Sequence, residues 1–192
     1  MTISVNSKKK QVKKTFEELI SDLRTSNSEK VRYNAARVLG EMGESKAVEP
    51  LIDVLKNDKN GSVRLYAARA LGEIGNKKAV DKLINMLYDE WVNVRIYAVT
   101  SLGKLNDTKA VPALIDVMKN RSENELVRAG AAAALGVLRD QRALLPLREL
   151  IMEADELGEL EDTALKSFKK IMSANWQQIP GAQLQKKPVA SF

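Results

Sequence analysis

The 192-residue chain contains no cysteine and no histidine. Without cysteine it has no disulfide, no thiolate nucleophile and no cysteine-based zinc or iron–sulfur site. Without histidine it lacks the commonest general base and the commonest metal ligand. These two absences exclude most protease, hydrolase and redox chemistry. We therefore predict that the protein is not an enzyme, with no catalytic residues, no metal site and no cofactor.

Long apolar runs are missing as well. No run in the chain approaches the roughly 20 apolar residues that a membrane-spanning helix needs. The lysine-rich N-terminus, residues 1–14, has no apolar segment behind it and does not have the pattern of a secretory signal. The sequence thus predicts a cytoplasmic protein with no membrane contact.

The net charge of +6 is concentrated at the two ends of the chain. Seven of the 31 basic residues lie in residues 1–14 and 186–192, and none of the 25 acidic residues does. Residues 15–185 therefore carry 24 basic and 25 acidic side chains and are almost neutral. A nucleic-acid-binding body needs a positive stripe on its folded surface, so this distribution argues against that function.

An internal repeat decides the predicted fold. A Val-Arg pair recurs every 31 to 33 residues, with alanine four positions and Leu-Gly eight positions after each valine. A degenerate fifth copy starts at Leu160. The four clear copies of the pair are Val31-Arg32, Val63-Arg64, Val94-Arg95 and Val127-Arg128.

A second motif repeats in phase with the first, as in Ala47-Val48-Glu49-Pro50-Leu51-Ile52. Its apolar residues recur at i, i+3, i+4 and i+7, which predicts a helix before each Val-Arg helix. We expect repeats at about 15–43, 44–75, 76–106, 107–139 and 140–172. Residues 1–14 are predicted to be a basic, flexible N-terminal tail, and residues 173–192 a C-terminal tail.

The motif Val-Arg-x-x-Ala-Ala-x-x-Leu-Gly, preceded by Ala-Val-x-x-Leu-Ile-x-x-Leu, resembles the HEAT-like repeats named after phycobilisome lyases. This resemblance implies an all-α, right-handed α-solenoid of about five two-helix repeats. It implies little about function, because unrelated proteins share this type of repeat. Family members that are di-iron hydroxylases use His-Glu pairs, which a chain without histidine does not have.

The second helix of each repeat separates into faces when the valine of Val-Arg is counted as position 0. Positions 0, 4, 7, 8 and 11 form the predicted core face. The arginine at position 1 recurs in every clear copy, and we interpret it as structural, with Asp53 and Asp116 as plausible partners.

Positions 2, 3, 6 and 10 are left over, and in such solenoids they face the concave groove. This arc is more apolar than solubility requires, and tyrosine and arginine are typical of binding hot spots. We expect Tyr66 and Tyr97 to lie side by side there, with Trp91 either at the rim or packed into its loop. The predicted partner-binding residues are Tyr33, Arg37, Leu65, Tyr66, Arg69, Trp91, Ile96, Tyr97 and Thr100.

The sequence thus favours a non-catalytic scaffold or adaptor that binds another protein through this groove. Two alternatives stay open: nucleic-acid or ribosome association through the basic N-terminal tail, and a bilin-lyase-like enzyme, which only the family resemblance supports. A superhelix tight enough for the groove side chains to cover one another would also explain the apolar arc. In the fourth repeat, the residues around Gly130 indicate either close approach of a partner or a compact helix.

Overall fold

The computed structural model describes residues 14–153 and 158–175, and these form an all-α solenoid of helix pairs with no strand among them. The predicted fold class is confirmed. The first helices of the repeats are α1 (Phe16–Thr25), α3 (Val48–Asn57), α5 (Val80–Asn85), α7 (Val111–Lys119) and α9 (Leu144–Met152). The second helices are α2 (Glu29–Met42), α4 (Gly61–Ile74), α6 (Val92–Leu105), α8 (Glu125–Leu138) and α10 (Glu159–Asn175).

Local sequence explains where the helices begin and end. Thr15 and Glu18 form a reciprocal capping box at the start of α1, and the Asn60 side chain caps α4. Gly43 and Gly75 end α2 and α4 in the left-handed conformation, with φ of 70° and 76°. A short 3-10 turn then leads into each following first helix.

α5 is shorter than the other first helices and continues as a 3-10 turn, Met86–Tyr88. The chain from Ala79 to Val94 is one residue shorter than the equivalent chain from Ala47 to Val63. A 3-10 turn rises more per residue than an α-helix, so it spans the same distance with fewer residues.

The second helices pack against one another along the whole solenoid, whereas successive first helices touch only slightly. The layer with the closer helices lies on the inside of the curve, so the second helices line the concave side. Glycine at position 9 permits this approach. A Cβ at Gly72 would lie 2.4 Å from Ser101 Oγ, and one at Gly40 would lie 2.8 Å from the Ala70 Cα.

The glycines therefore have two separate roles. Gly43 and Gly75 end helices, whereas the position-9 glycines admit the side chain at position 7 of the next repeat. The position-9 glycines and their neighbours are Gly40 with Ala70, Gly72 with Ser101, Gly103 with Ala134 and Gly136 with Ser167.

The predicted core face is buried in the interior repeats, apart from the half-buried Ile74 at position 11, and only partly in the first. Val63, Val94 and Val127 at position 0 are completely buried, but Val31 is half-buried and Met42 is 40% exposed. The expectation that both belong to the core is wrong in this repeat. No preceding repeat covers them among the described residues.

Candidate functional site

The predicted groove residues form one stripe along the middle of the second helices. Position 2 lies on the side of its helix that faces the following repeat, and position 3 on the side that faces the preceding one. Tyr33 at position 2 therefore meets Tyr66 at position 3 of the next repeat. Their rings stack with centroids 5.2 Å apart and an interplanar angle of 19°.

The expectation that Tyr66 and Tyr97 form the side-by-side pair is wrong in this detail. Residues at the same position of two repeats are separated by the whole spacing between helices. By contrast, a residue at position 2 of one repeat and a residue at position 3 of the next repeat point toward each other across this spacing. By the same rule, Leu65 at position 2 of the second repeat faces Tyr97 at position 3 of the third repeat, just as Tyr33 faces Tyr66 one repeat earlier.

The stripe is half-buried rather than fully open. Tyr33, Tyr66, Ile96 and Tyr97 pack in part against the core, and Leu65 is also half-buried. Neighbouring side chains thus cover part of each residue, and the rest of its surface stays accessible.

The polar side chains at the margin of the stripe are already paired within their own helices. Arg37 Nη1 donates to Glu41 Oε1 at 2.6 Å, and Arg69 Nε donates to Glu73 Oε1 at 2.8 Å. The Thr100 hydroxyl donates to the carbonyl of Ile96 at 2.9 Å. A partner can compete for the two arginines because both ion pairs are partly exposed.

Arg69 is electrostatically coupled to two tyrosines of the stripe. The hydrogen bond to Glu73 raises its pKa, and the nearby side chains of Tyr97 and Tyr66 raise the pKa further. Arg69 thus lies within electrostatic reach of both tyrosines.

Trp91 lies at the edge of the solenoid, at the residue that precedes α6. Its indole is 48% exposed and packs on Gly61 of the preceding repeat, where a Cβ would lie 2.3 Å from Trp91 Cδ2. The ring therefore packs against the neighbouring repeat and keeps about half of its surface accessible at the rim.

The recurring arginines connect successive repeats at this same edge. Arg32 Nε and Nη2 donate to both carboxylate oxygens of Asp58, and Arg64 donates in the same way to Asp89. Arg95 Nη2 donates to Glu123 Oε1 at 2.8 Å. We call these three pairs the arginine ladder.

The ladder supports the structural interpretation of these arginines but corrects their predicted partners. Asp53 Oδ2 instead lies 3.8 Å from Arg24 Nη2, and Asp116 is exposed to solvent. The true partners lie in the connection between the two helices of the next repeat. That connection varies in length, so no regular sequence spacing points to them.

The fourth repeat is compact for a packing reason. A Cβ at Gly130 would lie 2.8 Å from Val99 Cγ2 of the preceding repeat. This glycine is therefore needed for the approach of α8 to α6, which favours the compact-helix interpretation over a site of partner contact.

Other kinds of site find no support in the described part of the chain. No cluster of three or more acidic residues there could hold a metal ion, and none of its helices is both long and apolar enough to cross a membrane. A cleft of about 560 Å³ opens between the ends of α1 and α3, with a largely polar lining that includes Arg24, Asp53 and Asn57.

Comparisons with known proteins agree with this architecture. The family model for HEAT repeats matches residues 16–92 and 80–168. No curated protein matches the chain significantly.

Several solved structures are similar. The complex of CpcE and CpcF of phycocyanin lyase from Nostoc sp. PCC7120 contains a chain that is 28% identical, with a TM-score of 0.73, covering 95% of this chain and 72% of that one. An engineered protein is 21% identical with a TM-score of 0.60, covering 88% and 85%. A computationally designed armadillo repeat protein for modular peptide recognition is 21% identical with a TM-score of 0.54, covering 81% of each chain.

The family match covers most of the chain and coincides with the helix pairs seen in the structure. The motif resemblance noted in the sequence and the fold therefore lead to the same conclusion: this chain belongs to the family of HEAT repeat proteins.

Proposed function

We propose that this chain is a non-catalytic scaffold that binds a partner protein through the concave stripe of Tyr33, Leu65, Tyr66, Ile96 and Tyr97. The observation that carries the proposal is the stacked, half-buried Tyr33–Tyr66 pair at the concave face. An apolar centre with polar margins is the usual anatomy of a protein-recognition surface. The margin is supplied here by the two accessible arginine–glutamate pairs of α2 and α4.

The likeness to a chain of the CpcE–CpcF complex supports this proposal, because that chain functions within a protein complex. A preformed surface also loses little conformational entropy when it binds. The aromatic side chains are already held by stacking and by contact with the core.

Site-specific photo-crosslinking tests the location of the site. A photo-reactive amino acid is placed at position 65, in the stripe, or at position 88, where the wild-type Tyr88 is 67% exposed and lies outside the stripe. We expect a discrete protein adduct from position 65 and none from position 88. Adducts from position 88 alone would refute the groove.

Binding measurements with the captured partner then test the energetics. Tyr66→Ala and Tyr97→Ala are each expected to weaken binding by about 2 kcal/mol, or roughly 30-fold in Kd. Tyr88→Ala is the matched control and should leave Kd unchanged. Because both stripe tyrosines also pack on the core, each variant is compared at a temperature where it is fully folded. Wild-type affinity in both variants would contradict the proposal.

A second candidate function is that of a subunit of a lyase-type assembly. The observation that favours it is the likeness to a phycocyanin lyase structure at 28% identity over 95% of this chain. With no cysteine or histidine, this chain would hold the pigment rather than act as the nucleophile. A bilin added to the purified protein would then give a shifted absorbance band, and that shift would be lost in Tyr66→Ala. An unshifted spectrum would remove this candidate.

The same kind of experiment distinguishes association with nucleic acid through residues 1–14 from protein binding at the groove. Of these residues only Lys14 is within the described part of the chain. Phosphate contacts weaken steeply with salt, whereas an apolar groove does not. Binding that is lost on deletion of residues 1–14, and that is indifferent to both tyrosines, would replace the groove proposal.

A further inference from the structure

One face of α9 differs from the equivalent faces of the other first helices. Leu145 is 61% exposed and Met152 is 67% exposed. At the place of Leu145, the second to fourth repeats carry Glu49, Asp81 and Pro112. At the place of Met152, they carry Lys56, Tyr88 and Lys119. The repeat itself thus shows that an exposed leucine and methionine are not required by the fold at these places.

The same helix lacks an apolar residue where the interior repeats have one. Ile52, Ile84 and Ile115 occupy a single repeat position, and Ile52 is only 8% exposed. Its equivalent in α9 is the exposed Arg148. Leu145, Arg148 and Met152 are spaced i, i+3 and i+7 and therefore lie on one stripe of α9. In the preceding repeat this stripe faces the next first helix, as the Lys119–Glu149 ion pair shows. α9 is the last first helix among the described residues, so its stripe is exposed and carries two apolar side chains.

A shallow groove of about 310 Å³ marks the apolar face. Leu145 and Met152 lie at its two ends, one near each end of the helix, with Arg148, Glu149 and Glu153 also lining it. Glu149 and Glu153 are paired with Lys119 and Arg121 of the preceding repeat. Both carboxylates of the groove are thus already paired, and the side chains of Leu145 and Met152 are left uncovered.

The chain itself supplies a segment that can cover Leu145 and Met152. α10 ends at Asn175, whose side chain accepts a hydrogen bond from Gln141 Nε2 at 3.2 Å and donates to the Arg139 carbonyl at 3.3 Å. Gln141 begins the turn that leads into α9, so the chain leaves α10 beside the end of α9 that carries Leu145. Seventeen residues follow in the sequence, 176–192, which lie outside the described residues.

The length and composition of this segment suit the groove. α9 has nine residues and is therefore about 13 Å long, which four or five extended residues can span. The segment contains Trp176, Ile179, Leu184, Val189 and Phe192 and no acidic residue. We propose that residues 176–192 dock in the groove of α9 and cover Leu145 and Met152. This surface is on the opposite layer from the concave stripe, so the proposal is independent of the function proposed above.

Hydrogen–deuterium exchange of the full chain tests this docking. The reference is a synthetic peptide of residues 176–192. We expect the segment to exchange about tenfold or more slowly in the wild-type chain than in the peptide, because docking restricts its opening. In the double variant Leu145→Glu, Met152→Lys, which restores residues found in the other repeats, exchange should reach the rate of the peptide. Unchanged protection in α10 shows that the variant is folded.

A matched control exists on α8. Leu126 and Val137 are exposed apolar residues near the two ends of that helix, 58% and 43% exposed. The variant Leu126→Glu, Val137→Lys makes the same chemical changes elsewhere and should leave the segment protected. The proposal would be overturned if residues 176–192 of the wild-type chain exchanged at the rate of the peptide. It would also be overturned if they stayed protected in the Leu145→Glu, Met152→Lys variant. Protection that disappears on dilution would also overturn it, because the groove would then bind a second copy of the chain.

Discussion

Replacement of Arg64 by alanine is expected to produce a large loss of stability for a single substitution near the surface. Arg64 is only 7% exposed, and it joins the second repeat to the third. Its Nε and Nη2 donate to both oxygens of Asp89 at 2.8 and 2.9 Å, and Nη1 donates to the carbonyls of Asp58 and Lys59. The Arg64→Ala change removes all of these bonds together.

The magnitude follows from what is left behind. The Asp89 side chain is only 6% exposed, so its carboxylate would stay buried without its cation. Removal of one member of a buried ion pair typically costs about 3–5 kcal/mol. Asp89 keeps one hydrogen bond, from the backbone N–H of Trp91, which places the expected loss near the lower limit, at about 3 kcal/mol.

Urea unfolding followed by circular dichroism and by tryptophan fluorescence measures this loss, and agreement of the two probes tests two-state behaviour. Lys166→Ala is the control, because its ion pair with Asp162 is exposed and should contribute at most about 0.5 kcal/mol. A loss below about 1 kcal/mol for Arg64→Ala would refute the view that the arginine ladder stabilises the contacts between repeats.

Two further predictions concern contacts between repeats. Gly72→Ala should destabilise the protein by about 2 kcal/mol, because its Cβ would meet Ser101 Oγ at 2.4 Å. Gly103→Ala, whose Cβ would lie 3.3 Å from Ala134, should stay within about 1 kcal/mol of wild type in the same urea assay; equal losses would contradict the packing argument. Burial tends to raise the pKa of Asp58, but hydrogen bonds from Arg32 and the Asn60 N–H outweigh it and lower the pKa below 3.8. The ionised form therefore stabilises the fold above about pH 4, and this contribution is lost as pH falls through the folded-state pKa. The difference in unfolding free energy between wild type and Asp58→Asn should shrink below pH 4, and a difference that is constant down to pH 2.5 would contradict it.

Most of the helix pairs could be predicted because each depends on a local pattern. The apolar period and the capping residues act within one repeat, and both recur often enough to be recognised. The Leu-Gly pair recurs as regularly, although its glycine packs against the next repeat. The buried leucines at position 8, Leu39, Leu71, Leu102 and Leu135, follow directly from this period. The first repeat was predicted less well, because the exposure of Val31 and Met42 depends on the absence of a neighbour rather than on the pattern.

The candidate site could be predicted as a set of residues but not as an arrangement. Helical positions alone placed Tyr33, Tyr66 and Tyr97 on one arc. Which of them stack depends on the offset between neighbouring helices, and this offset is a property of packing. The partners of the ladder were missed for a related reason. Asp58, Asp89 and Glu123 lie in connections of unequal length, where no period applies.

The sequence by itself thus determined that this is an all-α HEAT repeat solenoid, which side of each helix is buried, and which residues are left for the concave face. Only the tertiary structure decided that Tyr33 stacks on Tyr66, that each ladder arginine binds the next repeat, and that the apolar face of α9 is exposed. The physical reason is the range of the interactions. Periodicity reports contacts within a repeat, whereas the translation and rotation between repeats result from glycine-mediated packing that involves two repeats at once.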